Sequence, residues 1–363
     1  MKSINLIKSM IATGVLLVLI IVNAGAQWLP QKTGLPDGIE GIYNFSVVDA
    51  TTIWAIPFSF SGCHKLVKSV DGGKTWKVIT VTGGEGLAFA DIHALDENNV
   101  WVAMWPSGIS SNSAIFHSSD GGETWVQQET AFFNTSGYVA FIHFFNEKEG
   151  ITVGDPNGGQ FEMYFTRNGG EKWQAVSIKN IPMPNIGEAA VAGNFEVSGN
   201  TIWFGTTKGR VFRSTNHGVN WTASEPLWNG AVSCAFQDEM TGLAVSNGNS
   251  DLKPSLMQTF DGGLTWTPMD SAPPISGFIE FVPGSKDSYV IAGTGKNGTD
   301  KGSAYTIDGG KTWVLVDDME HFSSVFISPQ QGYIGSDNTV LFKWVGPVLE
   351  EETDAEKVKK VIN

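Results

Sequence analysis

The sequence predicts an all-β chain folded as a seven-bladed β-propeller. Three observations support this fold class: an octet that recurs six times, a short apolar strand upstream of each octet, and a count of seven for those strands. A repeat of about 47 residues is typical of the four-stranded propeller blade. The length of 363 residues and the hydrophobic content of 41 % are sufficient for one large repeat domain with a substantial core.

The octet reads Ser or Thr, any residue, Asp or Asn, any residue, Gly, any two residues, Trp. Its tryptophans are Trp76, Trp125, Trp173, Trp221, Trp266 and Trp313. Successive tryptophans are therefore separated by 49, 48, 48, 45 and 47 residues. One match to so short a pattern arises by chance, whereas six in nearly constant register indicate a structural repeat.

Each octet is expected to form the hairpin turn between the third and fourth strands of a blade. The Asp or Asn side chain accepts hydrogen bonds from backbone N–H groups of the turn, and glycine tolerates the positive φ that a tight turn requires. The Trp begins the outer strand and buries its ring beneath the turn. The six acceptors are Asp71, Asp120, Asn168, Asn216, Asp261 and Asp308.

A calcium loop is the alternative interpretation of these octets. Calcium takes six to eight oxygen ligands, whereas each octet supplies one carboxylate at most. Asn168 and Asn216 replace that carboxylate with an amide, which a backbone cap tolerates. We therefore expect a structural role for the octets and no metal site.

The apolar strands outnumber the octets by one. They are Ile53–Ile56, Val100–Ala103, Ile151–Gly154, Ile202–Gly205, Leu243–Val245, Tyr289–Ala292 and Tyr333–Gly335. The seventh repeat begins near Phe322 and stops after its third strand, Val340–Trp344, while Trp28 stands where an octet Trp would stand. We expect the N-terminal segment to supply the outermost strand of the seventh blade, which removes an open sheet edge.

The two ends of the chain differ in composition from the repeats. Lys2 and Lys8 precede an apolar run, Ile11–Val22, and a small-residue segment, Ala24–Ala26, so residues 1–26 are predicted to be a secretory signal peptide cleaved before Gln27. An uncleaved membrane anchor is the alternative. The propeller is assigned to residues 27–346 and a polar tail to residues 347–363. A secreted or periplasmic protein without membrane insertion after cleavage is expected.

The charge of the chain excludes several classes of partner, and its two cysteines indicate no disulfide framework. The net charge is −14, and the chain holds three arginines, Arg167, Arg210 and Arg213. Nucleic acids and anionic membranes require clustered basic residues, so neither is an expected partner. Cys63 and Cys234 lie far apart in the repeat order and are expected to be two ordinary, mostly buried thiols.

The octets resemble the Asp-box, or bacterial neuraminidase repeat, of the sialidase-like superfamily. The segments Asp71–Trp76, Asp120–Trp125 and Asp308–Trp313 are most similar to propellers of the photosystem II assembly factor family, and Gly154–Phe161 is similar to secreted bacterial relatives of that group. The resemblance spans nearly all of residues 27–345 and implies the fold. It does not carry the photosystem role over to an exported protein.

Catalytic residues of sialidases are not expected here. Those enzymes hold the substrate carboxylate with three arginines from separate blades. Arg167 and Arg213 lie in or beside octets, and Arg210 is three residues from Arg213, so the three arginines cannot converge. No nucleotide-binding glycine motif, phosphate loop or serine-nucleophile elbow occurs, and no cofactor is expected.

Six titratable residues near the predicted inner strands remain as candidate binding residues: Asp91, His93, His143, Glu188, Glu280 and His321. Alignment of the blades on their apolar strands places His93, His143 and Glu280 in one repeat column, where other blades hold Ser46, Ala235 and Val325. Three interpretations stay open: polar residues that fill the channel wall, a ligand-binding cluster, or a carboxylate pair that hydrolyses glycosides. Zinc binding by the histidines is possible, but residue spacing gives it no support.

These observations favour a non-catalytic scaffold that binds a protein or glycan partner at one face of the propeller, with a monomer expected. The loops expected to shape that face are 57–65, 104–114, 131–138, 179–187, 246–255 and 294–302. The alternative is a secreted glycoside hydrolase or lyase with Asp91, Glu188 and Glu280 at the channel mouth.

Overall fold

The computed structural model describes residues 28–31, 39, 41–58, 65–107, 112–131, 138–247, 254–295, 301–336 and 341–349. These residues form seven antiparallel sheets of four strands each. Their one helical segment is a single 3₁₀ turn, Ile178–Asn180. The predicted all-β, seven-bladed propeller is confirmed. No helix in the described ranges has the length and apolar character needed to cross a membrane.

Strand β1 (Trp28–Gln31) is the outermost strand of the seventh sheet. The remaining strands follow in chain order from the inner to the outer edge of each blade. The first three blades are β2 (Gly41–Val47), β3 (Ile53–Phe58), β4 (Lys65–Ser69) and β5 (Lys77–Thr80); β6 (Leu87–Ala94), β7 (Val100–Pro106), β8 (Ala114–Ser118) and β9 (Val126–Gln127); β10 (Val139–Phe144), β11 (Gly150–Asn157), β12 (Gln160–Thr166) and β13 (Trp173–Ala175).

The other four blades continue the same order. They are β14 (Ala190–Ser198), β15 (Thr201–Thr206), β16 (Val211–Ser214) and β17 (Thr222–Ala223); β18 (Ala231–Phe236), β19 (Gly242–Asn247), β20 (Leu256–Thr259) and β21 (Thr267–Pro268); β22 (Phe278–Phe281), β23 (Tyr289–Thr294), β24 (Lys301–Thr306) and β25 (Val314–Asp317); β26 (Ser323–Ser328), β27 (Gln331–Gly335) and β28 (Leu341–Trp344).

Large rings pack between neighbouring blades. Trp101 on β7 stacks on Phe144 of the third blade with 3.8 Å between ring centroids, and Trp203 on β15 stacks on Phe236 of the fifth blade at 3.9 Å. Both tryptophans are fully buried. Each blade is covered by a neighbouring blade on either side. Apolar side chains therefore project from both faces of its second strand, which explains the uninterrupted apolar sequence of these strands.

The ring is closed by strands from both ends of the chain. In β1, Trp28 lies opposite Trp344 of β28, and Gln31 lies opposite Leu341. The Trp28 indole donates a hydrogen bond to Ser303 Oγ at 2.8 Å, which joins the seventh blade to the sixth. The predicted closure by the N-terminal strand is confirmed.

The chain remains packed on the seventh blade beyond Trp344. Leu349 is fully buried in the same cluster as Trp28 and Trp344, and its N–H donates to the carbonyl of Pro329. Trp344 Nε1 donates to the carbonyl of Pro347 at 3.0 Å. Leu349 thus continues the packing of the seventh blade within the range assigned to the polar tail. The rest of the tail and residues 1–26 lie outside the described residues.

The octets form hairpin turns with the expected acceptors. Asp71 Oδ1 accepts from the N–H groups of Lys74 and Thr75, and Asn168 Oδ1 accepts from Lys172 N. The hydrogen bond from the Thr75 hydroxyl, together with those from the backbone N–H groups of Thr75 and Lys74, lowers the pKa of Asp71 to about 2. The corresponding acceptors in the other octets are Asp120, Asn216, Asp261 and Asp308.

Burial of the octet tryptophans varies more than the sequence predicts. Trp173 and Trp221 are buried, whereas Trp76, Trp125, Trp266 and Trp313 remain partly exposed. Most of these indoles donate to the carbonyl of a turn glycine, as Trp221 does to Gly218 at 2.8 Å. Trp173 donates instead to Gln128 Oε1 on the preceding blade. The tryptophan indole thus supports its own octet turn in some blades and the junction with the preceding blade in another.

The propeller has two distinct faces. Each octet turn contacts the turn between the first and second strands of its own blade, as when Gly121 N donates to the Asn98 carbonyl, so both turns share the octet face. The opposite loop face carries the turns between second and third strands and the connections between blades. All six predicted binding loops join strands at the loop face. Residues 179–187 form the one range among them that is described throughout.

Candidate functional site

The predicted repeat column is a register position of the inner strands. His93 pairs with Trp101, His143 with Ile151 and Glu280 with Val290 across the first two strands of their blades. The other members are Ser46, Ala235 and Val325, as expected, together with Glu196. We call this set the inner ring, since these strands surround the axis of the propeller.

Glu196 is the inner-ring residue that sequence alignment missed. It pairs with Trp203, and Ser198 pairs with Thr201, so the turn in this blade is one residue shorter than in the second and third blades. The usual offset of eight residues, counted back from Trp203, therefore falls on Phe195. Counting strand residues back from the turn itself, where Gly199 takes φ 58°, would have identified Glu196 as the residue opposite Trp203.

The two histidines of the inner ring lie in contact. The rings of His93 and His143 are 4.4 Å apart between centroids. Burial lowers the pKa of His93 to about 4, although a hydrogen bond to the Phe144 backbone opposes the shift. Burial and the adjacent His93 hold the pKa of His143 well below its usual value. Both imidazoles are therefore neutral near pH 7.

Within the described part of the chain, the histidine pair has no further ligands that would complete a metal site. His93 Nε2 is buried without a hydrogen-bond partner. A zinc centre requires at least three protein ligands. Among the described residues, no three His, Cys, Asp or Glu side chains are grouped so as to hold a metal ion. Cys234 on the fifth blade is buried with a free thiol, and Cys63 lies outside the described residues.

Asp91 connects three blades. Its Oδ1 accepts from Asn44 Nδ2 at 2.7 Å, and its Oδ2 accepts from Ile142 N at 2.8 Å. Burial raises its pKa to about 7, while these hydrogen bonds oppose the rise. The acceptor satisfies a backbone N–H at the inner edge of the third blade, a group that would otherwise be buried without a partner.

Glu280 makes the same kind of connection between the sixth and seventh blades. Its Oε1 accepts from the Phe326 N–H, and its Oε2 accepts from Ser324 Oγ at 2.8 Å. Burial raises the pKa of Glu280 to about 7. Burial, together with the nearby acidic group of Glu280, raises the pKa of Glu196 to about 8. Both carboxyl groups are substantially protonated near neutral pH.

His321 belongs to the closure of the ring. Its Nε2 lies 2.8 Å from Asp317 Oδ1. Asp317 Oδ2 accepts a hydrogen bond from Ser303 Oγ, which in turn accepts the hydrogen bond from the Trp28 indole. The His321 side chain is fully buried. His321 therefore lies in a structural network with Trp28 and does not join His93 and His143.

Glu188 lies at the loop face of the fourth blade. Its carboxylate accepts from Thr206 Oγ1 at 2.6 Å and from Asn185 N at 2.7 Å, and it pairs with Arg210 Nη1 at 3.0 Å. Within the described residues, no hydrogen bond or ion pair joins Asp91, Glu188 and Glu280 to one another. Each carboxylate instead stabilises a separate junction, so the structure does not bring the three predicted acids into one site.

An apolar ridge projects from the loop that Glu188 and Arg210 anchor. We define this anchored loop as residues 182–188. Ile186 is 99 % exposed and Met183 is 72 % exposed. Beside it runs an open groove of about 450 Å³ lined by Asn185, Lys208, Pro226, Leu227, Trp228 and Asn229. Large aliphatic side chains on a rigid, solvent-facing loop are typical of a contact surface. The predicted loop 179–187 contains this ridge.

Comparisons with known proteins agree with the propeller fold. The sequence profile of the photosynthesis system II assembly factor YCF48 family matches residues 87–233. An oligoxyloglucan-reducing end-specific xyloglucanase of Emericella nidulans is 25 % identical over 264 residues, which cover 65 % of this chain and 32 % of that protein. The chain thus matches about a third of the length of this curated relative.

Solved structures share the propeller. The structure of YCF48 bound to D1 peptide superposes with a TM-score of 0.63 at 18 % identity and covers 88 % of this chain and 97 % of that one. The Niastella koreensis GH74 enzyme superposes with a TM-score of 0.57 at 16 % identity, over 82 % of this chain and 50 % of that one. The chain therefore has the seven-bladed β-propeller fold of these structures, and its residues 87–233 are similar to the photosynthesis system II assembly factor YCF48 family.

Proposed function

We propose that this protein is a non-catalytic scaffold that binds a protein partner through the loop face of its propeller. One observation carries the proposal: Ile186 is 99 % exposed on a loop whose backbone is held in place by Arg210. Exposing an aliphatic side chain on a loop whose backbone is held by hydrogen bonds is unfavourable in water. Such a residue is therefore a candidate anchor that a partner would cover.

The three predicted acids, Asp91, Glu188 and Glu280, favour a scaffold over a hydrolase. Hydrolysis of a glycoside requires two carboxyl groups free to reach the scissile bond from opposite sides. Asp91 and Glu280 each accept a backbone N–H of the next blade, and Glu188 is paired with Arg210. Using any of them as an acid or base would disrupt a junction between structural elements.

A relative provides independent support for a protein partner. One superposing structure is described as YCF48 bound to D1 peptide. A propeller of this type therefore presents a surface that binds a peptide, and we extend that property to this chain. We further propose that the protein acts outside the cytoplasm, in the periplasm or secreted, because residues 1–26 have the composition of a signal peptide.

A glycan ligand is the second candidate. The similarity to a xyloglucanase favours it, and Glu196 lies close enough to Glu280 for the two charges to interact. A polysaccharide panel that includes xyloglucan tests this alternative with the wild-type chain and the variants Glu196→Gln and Glu280→Gln. Turnover by the wild type that both variants lose would establish the glycosidase function. No turnover is expected.

Site-specific photo-crosslinking tests the scaffold proposal. A photoreactive amino acid replaces Ile186 in the full chain, which is then irradiated in an extract of the envelope and surrounding medium of its native cells. The matched control carries the same group at Phe260, which is 66 % exposed on the octet face. A discrete protein adduct at position 186 that is absent at position 260 is expected. Equal adducts at both positions, or none at 186, would contradict a partner at the loop face.

A further inference from the structure

We infer that the groove beside the anchored loop binds an extended peptide in which an acidic residue is flanked by apolar ones. This inference rests on the proposed function, since it specifies the chemistry of the partner. The groove separates the anchored loop from residues 226–229, and both segments are described in full. Its lining combines apolar walls, two asparagines and one charged side chain, Lys208.

The ammonium group of Lys208 is the part of the groove that would recognise the carboxylate of the peptide. Lys208 occupies the tip of the hairpin between β15 and β16, where Gly209 takes φ 73°, and its Cε lies 3.9 Å from the point where a Cβ on Gly187 of the anchored loop would stand. Lys208 makes no ion pair within the described ranges, while the nearby Glu188 is neutralised by Arg210. A carboxylate entering the groove would therefore meet an uncompensated ammonium in an otherwise acidic protein.

The groove is preorganised. Arg210 donates from Nη1 to the Met183 carbonyl at 3.0 Å and from Nε to the Ser224 carbonyl at 3.2 Å, so one guanidinium holds both walls. Leu227 N donates to the Gly209 carbonyl at 2.7 Å, which fixes the second wall on the hairpin that carries Lys208. A binding site that is already ordered loses little conformational entropy when a ligand binds.

The lining favours a peptide over a neutral sugar. Pro226, Leu227 and Trp228 provide apolar contact area, and the adjacent Met183 and Ile186 extend it beyond the groove. Aliphatic side chains gain little from contact with sugar hydroxyl groups, and a neutral glycan offers no charge to Lys208. An extended peptide supplies apolar side chains, a carboxylate and backbone amide groups, and Asn185 in the lining carries an amide that pairs with such groups.

Selection from a phage-displayed library of random twelve-residue peptides tests the inference. The full-length chain is immobilised and bound peptides are sequenced. Recovered peptides are synthesised and their affinities are measured against Ile186→Ser, Lys208→Glu and two matched controls: Phe260→Ser on the octet face and Lys179→Glu, an exposed lysine that does not line the groove. Peptides enriched in Asp or Glu beside Leu, Phe or Trp are expected.

Both groove variants should weaken these peptides at least about tenfold, a change equivalent to 1.4 kcal/mol, and the two controls should bind as the wild type does. Peptides that lose affinity with Ile186→Ser but show no acidic preference and no response to Lys208→Glu would overturn the peptide chemistry while leaving the loop-face function standing. Peptides insensitive to both groove variants but weakened by Phe260→Ser would overturn both.

Discussion

Arg210 and Glu188 form a buried ion pair, 3.0 Å between Nη1 and Oε2, directly beneath the exposed ridge of the loop face. The same Nη1 donates to the Met183 carbonyl, and Glu188 Oε2 accepts from Asn185 N. The guanidinium also lies over the Phe212 ring at 4.9 Å. A largely buried salt bridge thus holds the backbone of a surface loop that carries no charge of its own between Pro182 and Gly187.

Removing Arg210 should destabilise the propeller strongly. Arg210→Ala leaves the Glu188 carboxylate buried without its cation, and losing one partner of a buried pair costs about 3–5 kcal/mol. Urea unfolding followed by tryptophan fluorescence measures the change. The double variant Arg210→Ala, Glu188→Gln should recover part of the loss, because no unpaired charge remains. A double variant as unstable as the single one would contradict this account of the pair.

The closure of the ring should depend on Trp28. Its indole is 4 % exposed and lies 5.0 Å from the Trp344 ring, so Trp28→Ala removes both the packing and the bond to Ser303. Truncation of a buried aromatic costs about 3–5 kcal/mol. The neighbouring Leu29, which is 53 % exposed, provides the matched control, with a change below about 0.5 kcal/mol. Equal melting temperatures for Trp28→Ala and Leu29→Ala would contradict closure by β1.

The octet tryptophans should differ in their contribution to stability. Trp173 is 3 % exposed and donates to Gln128 on the preceding blade, so Trp173→Ala should cost about 3–5 kcal/mol. Trp125 is partly exposed and donates to the Gly122 carbonyl within its own turn. Trp125→Ala should therefore cost clearly less. Chemical denaturation of the two variants gives the comparison, and the reverse order would show that octet turns matter more than blade junctions.

Glu196 should make stability depend on pH. Burial raises its pKa in the folded chain to about 8, above the value near 4.3 of an unfolded glutamate. The folded state then binds the proton more tightly, so the stability associated with this group is complete below about pH 4 and is lost as the pH rises through 8. Glu196→Gln should therefore gain melting temperature relative to the wild type as the pH increases from 5 to 9.

The exposed residue Glu129 provides the control for this titration. Glu129→Gln should follow the wild-type pH profile throughout the range. A constant difference between Glu196→Gln and the wild type at all pH values would show that the Glu196 carboxyl group has similar proton affinities in the folded and unfolded chains. The comparison is made between matched variants because His93 and His143, whose pKa values are lowered, shift the wild-type profile in the opposite direction over the acidic part of the range.

The sequence predicts the parts of this fold that repeat. Octet spacing identified six turns, and the position of Trp28 identified the strand that completes the seventh blade. Local hydrogen-bonding groups within eight residues of sequence define each turn, so the pattern is readable without knowledge of the rest of the chain. The inner-ring positions of His93, His143 and Glu280 were predictable for the same reason.

The partners of those residues were not predictable. Asp91 accepts from a backbone N–H 51 positions away, and Glu188 is paired with a side chain from the following hairpin. Acidic residues in an inner strand have the same local sequence whether they bind a ligand or satisfy the neighbouring blade. Only the placement of the next blade distinguishes these roles, and the shortened turn after Glu196 concealed one member of the ring.

The affinity of the crosslinked partner for two charge-introducing variants tests the central claim most directly. The partner captured at position 186 is purified, and its dissociation constant is measured by calorimetry against the wild type, Ile186→Asp and Phe260→Asp. A central contact residue contributes about 2 kcal/mol or more, so Ile186→Asp should weaken binding at least about thirtyfold while Phe260→Asp leaves it unchanged. Unchanged affinity for Ile186→Asp, or equal losses for both variants, would contradict binding through the anchored loop.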